Sequence, residues 1–409
     1  MRYDFDEIID RQETNSINTD GFRDFIFHAG PDMKFPYADD EFIRMWIADM
    51  EFACAEPIRQ AIQKRLDRKI FGYTIMNLDT AYHNSLTKWC QKKYDWSFPR
   101  EELCFSTGVI PALYQLVELI CQPKEKAMMV TPAYGFFKHA VDYNQIACDC
   151  SPLIVDSGHF RVDFEDLERK ASQKEMKLLI WCNPQNPSGT VWTKEELERV
   201  IRIAEENDLW LISDEIHCDI LRHGVRHIPL AKLTDYKKLI TCMSASKVFN
   251  MAGLQFSNII IRDPQLREQF VLRDKNVGFV NPLSIVAHKA AYDEGEEWLD
   301  QLKTYLDLNF SYVKDFLAKE LPLAEFEIPQ ATYLAWVNLN AYLGDIDDLP
   351  RFFAYEAGIL LEGGDDLFVG NAKGYVRLNL AMPRKTLERA MQRMKEAILE
   401  HANKNKAKA

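Results

Sequence analysis

Three polar clusters in the middle of the chain combine residue types that can carry out chemistry, and each follows a short apolar run. Residues 183–189 read Asn-Pro-Gln-Asn-Pro-Ser-Gly, residues 213–217 read Ser-Asp-Glu-Ile-His, and residues 244–247 read Ser-Ala-Ser-Lys. A lone lysine is most commonly a solvated surface charge. A lysine amine in a partly dry pocket instead loses basicity and becomes a usable nucleophile and base. Lys247, with hydroxyls before it and Gly253 after it to allow close backbone approach, is a candidate for the second kind.

The apolar runs before these clusters predict strands that are covered on both faces. We expect strands over residues 127–131, 177–182, 210–213, 239–243 and 258–261, because each run is continuous rather than alternating. Helices are predicted over residues 57–69, 80–93 and 111–121, and another begins at Thr193, which has capping-box spacing to Glu196. Strands that alternate with helices indicate an α/β fold with a largely parallel, doubly wound sheet. Ligands bind such sheets at the carboxyl ends of strands, where the three clusters fall.

The last third of the chain has a different pattern. Helices are predicted over residues 298–317 and 387–398, and strands over 333–339 and 375–380. The sequence therefore predicts two domains: a large one over residues 50–295, and a smaller α+β domain formed by residues 1–49 and 296–409.

Composition narrows the class of protein. The 409 residues carry a formal net charge of −12, which argues against a nucleic-acid partner. Neither a membrane-spanning run nor a signal peptide is expected. Nine cysteines without a Cys-x-x-Cys pair predict reduced thiols and a cytoplasmic location. The spacing of His217, His223 and His227 fits no standard zinc site, so no metal is expected.

Residues 244–253 resemble the cofactor-lysine segment of fold-type I pyridoxal-phosphate enzymes, the aspartate-aminotransferase superfamily. Further segments resemble the MalY/PatB group of cystathionine β-lyases: Trp-Ile-Ala-Asp-Met-Glu-Phe at 46–52, Phe-Gly-Tyr-Thr at 71–74, Asp-Glu-Ile-His at 214–217, Asn-Pro-Leu-Ser at 281–284 and Arg-Leu-Asn at 377–379. Each motif alone is weak, but together they span nearly the whole chain in the expected order. The resemblance implies pyridoxal 5'-phosphate as cofactor and a large domain with a mixed, mostly parallel seven-stranded sheet.

The resemblance also implies roles around the cofactor ring. Lys247 would hold the cofactor covalently and remove the substrate Cα proton. Asp214 would pair with the pyridine nitrogen and keep it protonated. Asn186 would donate to the phenolic oxygen, and His217 would lie on that same side. Tyr134 would stack on the ring face.

The phosphate and the substrate carboxylate need donors of their own. Gly108 and Val109 would offer backbone N–H groups at a helix N-terminus, and Ser244 and Ser246 would add hydroxyls. Tyr73 would come from the neighbouring subunit, which implies a homodimer with shared active sites. The superfamily often places an arginine soon after the cofactor lysine, but nothing basic occurs here between Lys247 and Arg262.

For the amino-acid substrate, Arg377 would clamp the α-carboxylate in a bidentate fork. Ala48 and Asp49 would approach the same carboxylate or close over the site, and Asn186 would also touch the substrate.

Three functions fit these residues. Elimination from cysteine S-conjugates such as cystathionine would give a thiol, pyruvate and ammonia, and the group-specific segments favour it. An aminotransferase would use the same residues up to Cα proton removal, but we assign no second basic residue for a distal carboxylate. The apolar surroundings at residues 72–76 and 136–137 suit a thioether better. A regulatory protein that retains the fold is the third possibility.

Overall fold

The computed structural model of the chain describes residues 3–75, 79–156, 158–274 and 280–408. Its strands are β1 Ile43–Arg44, β2 Leu103–Ser106, β3 Lys126–Thr131, β4 Ala133–Tyr134, β5 Ala147–Pro152, β6 Ile154–Asp156, β7 His159–Arg161, β8 Met176–Cys182, β9 Trp210–Asp214, β10 Leu239–Met243, β11 Ser257–Ile261, β12 Leu334–Asn338, β13 Ile359–Leu360, β14 Glu362–Gly363, β15 Phe368–Val369 and β16 Tyr375–Asn379.

Helices surround these strands. They are α1 Ile17–Asp20, α2 Phe22–Phe27, α3 Glu56–Leu66, α4 Thr80–Tyr94, α5 Val109–Ile120, α6 Gly135–Tyr143, α7 Phe164–Ala171, α8 Lys194–Glu206, α9 Leu230–Leu233, α10 Pro264–Asp274, α11 Pro282–Glu294, α12 Glu296–Glu320, α13 Asn340–Leu343, α14 Leu349–Glu356, α15 Gly364–Leu367 and α16 Arg384–Lys408. None of them, within the described residues, combines the length and apolar character needed to cross a bilayer.

The central element is a seven-stranded sheet in the order β2-β11-β10-β9-β8-β3-β5. Its neighbouring strands are parallel except where β11 pairs with β10 and β2. Strand β8 shows why the predicted runs are continuously apolar. Its Leu179 and Trp181 belong to one core cluster, while Leu178 and Ile180 belong to another on the opposite face. The predicted mixed, mostly parallel α/β sheet is confirmed.

All five strands predicted in the middle of the chain are present, and residues 239–243 form β10 with the predicted bounds. The Thr193–Glu196 capping box is also present, with Thr193 N–H donating to the Glu196 carboxylate at 2.8 Å. Two strands of the sheet had no prediction: β2 is only four residues long, and β5 is an edge strand whose residues are mostly half-buried or exposed.

A second, three-stranded sheet has the order β12-β16-β14 and lies between the long helices α12 and α16 in sequence. The N-terminal segment joins this part of the chain, because β1 pairs in parallel with β13 through Ile43 and Ile359. This pairing supports our proposal that residues 1–49 and 296–409 form one small domain.

Candidate active site

The three polar clusters meet at one edge of the central sheet. Strands β8, β9 and β10 are parallel neighbours, and Asp214 is in register with Cys182 on one side and Cys242 on the other. The loops after these strands therefore emerge side by side. They line a cavity of about 660 Å³ that contains Asn186, Asp214 and Lys247 in its wall. Proximity of these residues was the central expectation from the sequence, and the structure brings them together.

Asp214 ends β9 and is buried. Burial raises the pKa of its carboxyl to about 7, and the nearby Glu215 adds to this effect. The Ile216 N–H, which donates to Oδ1 at 3.1 Å, and Lys247 act in the opposite direction. A carboxyl with this pKa is poised to accept a cationic or protonated partner from the cavity.

Lys247 follows β10, and its half-buried amine donates to the backbone carbonyl of Ala48 at 2.8 Å. Removal of the amine from water lowers its pKa to about 8, against the attraction of Asp49 and Asp214. The amine is therefore far more available as a nucleophile or base near neutral pH than a surface lysine. The expectation for Gly253 is wrong, because an added Cβ there would meet no heavy atom of the described residues within 4 Å.

Arg377 lies on β16 and enters the same cavity from the smaller sheet. It is only 2% exposed. Its Nη2 donates to the Trp46 carbonyl at 3.0 Å, while Nε and Nη1 have no hydrogen-bond partner among the described residues. A buried guanidinium with donors left over suits a carboxylate, which accepts charge-assisted hydrogen bonds.

Backbone donors for an anion come from the start of α5. Gly108 is its N-cap, and Gly108, Val109 and the preceding Thr107 all line the cavity. The N–H groups of a first helical turn have no partner within the helix, and the helix dipole adds positive potential there. Ser246 lines the same cavity.

Ser244 occupies a different position from Ser246. The Ser244 hydroxyl donates to the Phe256 carbonyl at 2.7 Å and lies 2.8 Å from the Ser246 hydroxyl. The backbone N–H of Ser246 donates to the Ser244 hydroxyl at 3.0 Å. Ser244 is not among the lining residues, so its contacts orient Ser246. Arg262 likewise offers no anion contact here, because it donates to the carbonyls of Ala231 and Thr234.

Three further predicted residues lie in the wall. Tyr134 is half-buried, and burial raises the pKa of its phenol to about 12. His217 is buried, which lowers the pKa of its imidazole to about 3, so the ring is neutral near pH 7. Asn186 Oδ1 and His217 Nδ1 have no hydrogen-bond partner among the described residues. Each therefore offers a polar atom to a ligand.

Besides Ser244, two predicted residues lie outside this wall. The Asp49 side chain accepts a hydrogen bond from Arg11 at 2.5 Å, although its neighbour Ala48 does line the cavity. Tyr73 is 90% exposed and is not a lining residue of its own chain's cavity. Met76, in the apolar stretch singled out for the substrate, lies outside the described residues.

The structure adds lining residues that had no prediction. They include Phe25 of α2, Thr107, Glu362 and Leu367, whereas Phe136, which also lines the cavity, belongs to the apolar stretch predicted for the substrate. Glu362 is buried on β14, in register with Arg377 on the adjacent strand. Only the strand pairing brings these two residues together, so no local pattern in the sequence could have indicated it.

Comparison with known proteins identifies the class. The family described as aminotransferase class I and II matches residues 41–394, and the chain belongs to this family. Within it, the chain belongs with the MalY/PatB group. It is 36% identical to cystathionine beta-lyase PatB of Bacillus subtilis, over 87% of this chain and 92% of that protein. It is 30% identical to protein MalY of Escherichia coli, over 97% and 99%.

A solved structure agrees with this grouping. The PLP-bound C-S lyase from Staphylococcus hominis superposes with a TM-score of 0.92 at 46% sequence identity, covering 98% of this chain and 99% of that one. The fold is therefore that of the fold-type I, aminotransferase-like enzymes, as the sequence motifs predict.

Proposed function

We propose that this chain is a pyridoxal-phosphate-dependent carbon–sulfur β-lyase, which cleaves cystathionine and related cysteine S-conjugates to a thiol, pyruvate and ammonia. The observation that carries the proposal is the convergence of Lys247, Asp214 and Arg377 on one cavity. The names of the relatives, a cystathionine beta-lyase and a C-S lyase, support the same reaction.

The cavity fits pyridoxal phosphate in its charges and its donors. Burial raises the pKa of the Asp214 carboxyl to about 7. A protonated ring nitrogen beside this carboxyl would stabilise its charged form. The start of α5 and the Ser246 hydroxyl would bind the phosphate. Tyr134 would cover a ring face, with Asn186 and His217 toward the phenolic oxygen.

Bound pyridoxal phosphate withdraws electrons from the Cα of an amino acid and so makes its proton acidic. Lys247 is the base that accepts this proton at Nζ. With its pKa lowered to about 8, roughly a tenth of the free amine is unprotonated at pH 7. Arg377 orients the α-carboxylate through its guanidinium, which fixes the Cα–H bond relative to Lys247. The Cβ–S bond then breaks, the thiolate leaves, and the three-carbon enamine takes up water to give pyruvate and ammonia.

The cavity wall favours a thioether over a dicarboxylate. Among the described lining residues, Arg377 is the only arginine and Lys247 the only lysine, so no second guanidinium or ammonium group is available there for a distal carboxylate. Phe25, Phe136 and Leu367 give the wall apolar surface that an S-linked chain can contact.

An aminotransferase is the second candidate, supported by the family match and by the residues shared up to Cα proton removal. The deciding experiment incubates the purified holoenzyme with L-cystathionine, with and without an added 2-oxo acid. Pyruvate, ammonia and homocysteine formed without the oxo acid support elimination. Strict dependence on the oxo acid would refute the lyase and establish transamination.

We also propose a homodimer with shared active sites. Tyr73 belongs to an exposed apolar stretch in which Ile70, Phe71 and Ile75 are 70%, 56% and 67% exposed. Such a patch is unfavourable in contact with water and is suited to cover by a second subunit. Light scattering on the eluted protein tests the dimer, and a monomer mass would refute it.

The nine cysteines are all free thiols, which supports a reducing, cytoplasmic location.

A further inference from the structure

Residues 46–52 form a segment without helix or strand that runs along the cavity, and we name it the cavity-side loop. Its carbonyls accept hydrogen bonds from both reactive cations. Arg377 donates to Trp46 at 3.0 Å, and Lys247 donates to Ala48 at 2.8 Å. The position of this loop therefore bears on both groups that meet the substrate.

Two asparagines hold the same loop from the cavity-forming segments. Asn379, two residues after Arg377, donates to the carbonyls of Ile47 and Asp49 at 2.8 and 2.6 Å. Asn250, three residues after Lys247, donates to the carbonyls of Met50 and Phe52 at 3.0 and 2.8 Å. The loop is thus tied by its backbone to the segments that carry the two cations.

Its two acidic side chains point the other way, toward Arg11. Arg11 Nη2 donates to Asp49 at 2.5 Å and Nη1 donates to Glu51 at 3.2 Å. Glu51 also accepts from the Asn18 amide at 2.6 Å. All three charged side chains are less than a quarter exposed, so solvent screens their attraction less than on the open surface.

A second contact, within the N-terminal segment, also holds the Arg11 side chain in place. Its Nη2 donates to the Ser16 hydroxyl at 2.8 Å, just before α1. Burial alone would lower the pKa of Arg11, but Asp49 and Glu51 raise it overall, so the guanidinium stays charged. One cation therefore fastens the N-terminal segment to the outer side of the cavity-side loop.

We propose that Arg11 is a positioning residue: by binding Asp49 and Glu51, it holds the cavity-side loop where its carbonyls meet the two reactive cations. Arg11 itself does not line the cavity. Its loss would act through the loop, mainly on how tightly the substrate carboxylate and Lys247 are held. This inference rests on the proposed function only for its kinetic readout.

The test compares Arg11→Gln with Arg11→Lys and with a matched control, Arg23→Gln. Arg23 forms a two-bond pair with Asp39 at 2.6 and 2.7 Å in the same N-terminal region, but it is not a lining residue. For L-cystathionine, Arg11→Gln should raise KM about tenfold or more, since two charge-assisted bonds are lost, while kcat changes less. Arg11→Lys should recover part of that loss, and Arg23→Gln should keep the wild-type KM.

A second readout does not depend on activity. Hydrogen exchange of the full-length protein, with and without pyridoxal phosphate, reports the loop directly, because its Met50 and Glu51 amides donate to Asn250 and Ala381. Arg11→Gln should accelerate exchange in residues 46–52 about tenfold, and Arg23→Gln should not. Equal KM and equal loop exchange in the two Gln variants would overturn the proposal. A wild-type protein that cleaves no sulfur amino acid would refute the lyase function alone, because the exchange comparison would still stand.

Discussion

Replacing Arg377 with lysine is the sharpest test of how the cavity holds its substrate. The change keeps the positive charge but removes the planar guanidinium, whose Nε and Nη1 have no partner among the described residues. It also removes the Nη2 contact to the Trp46 carbonyl at 3.0 Å. The lysine ammonium has no planar fork that matches both carboxylate oxygens, so at least one charge-assisted hydrogen bond is lost.

Such a bond contributes about 1.5–3 kcal/mol, and each 1.36 kcal/mol is a factor of ten, so kcat/KM should fall about 10- to 100-fold. The assay measures ethanethiol released from S-ethyl-L-cysteine and from its carboxamide, which lacks the carboxylate. The loss should appear with the acid and be nearly absent with the amide. Arg384→Lys is the control, because Arg384 packs over Tyr312 at 4.8 Å and does not line the cavity. An equal loss for acid and amide, or a change below threefold for the acid, would refute the carboxylate clamp.

Further predictions concern the other site residues. Lys247→Ala should lose turnover by about 10³-fold or more while retaining some non-covalent pyridoxal phosphate, measured by pyruvate release and absorbance; cleavage at the wild-type rate would contradict its role. Folded Asp214 keeps its proton up to about pH 7, whereas the unfolded carboxyl loses it near 3.8, so this group makes the cofactor-free protein less stable as pH rises between those values. Asp214→Asn should remove that loss, so urea unfolding should show a stability gain that is about 2–3 kcal/mol larger at pH 7.5 than at pH 5; an equal effect at both pH values would disprove the shift. Tyr73→Phe and Lys247→Ala subunits should each be poorly active, but mixed dimers should regain activity if one subunit completes the other's site, and no gain on mixing would argue against shared sites.

The elements that could be predicted from sequence are those whose environment is uniform along the chain. Strand β10 was predicted with its observed bounds because every one of its residues is buried. The turn after it then places Lys247 at the same sheet edge as Asp214, which follows from parallel pairing alone. Strand β5 escaped prediction because an edge strand needs no continuous apolar run, and Ala147–Pro152 has none.

Long-range contacts explain the remaining differences at the site. Asp49 was expected near the substrate carboxylate because of its neighbours in the motif, but its side chain pairs with Arg11, 38 positions earlier. Ser244 and Ser246 have the same residue type and nearly the same place in sequence, yet only Ser246 lines the cavity, because the Phe256 carbonyl accepts the Ser244 hydroxyl. The partner of each side chain depends on which group the fold brings opposite it, and no local sequence pattern indicates that partner.

The pairing of β1 with β13 also has a consequence for how the protein is made. Ile43 leaves the ribosome early, but its partner Ile359 is added near the end of translation. At typical elongation rates of about 5–20 residues per second, the gap between them lasts on the order of tens of seconds. During that time Phe42, Ile43 and Trp46, all buried in the finished protein, have no permanent cover. The central sheet can form first, whereas the N-terminal segment must wait for the end of the chain, and a chaperone that shields apolar nascent segments would act in this interval.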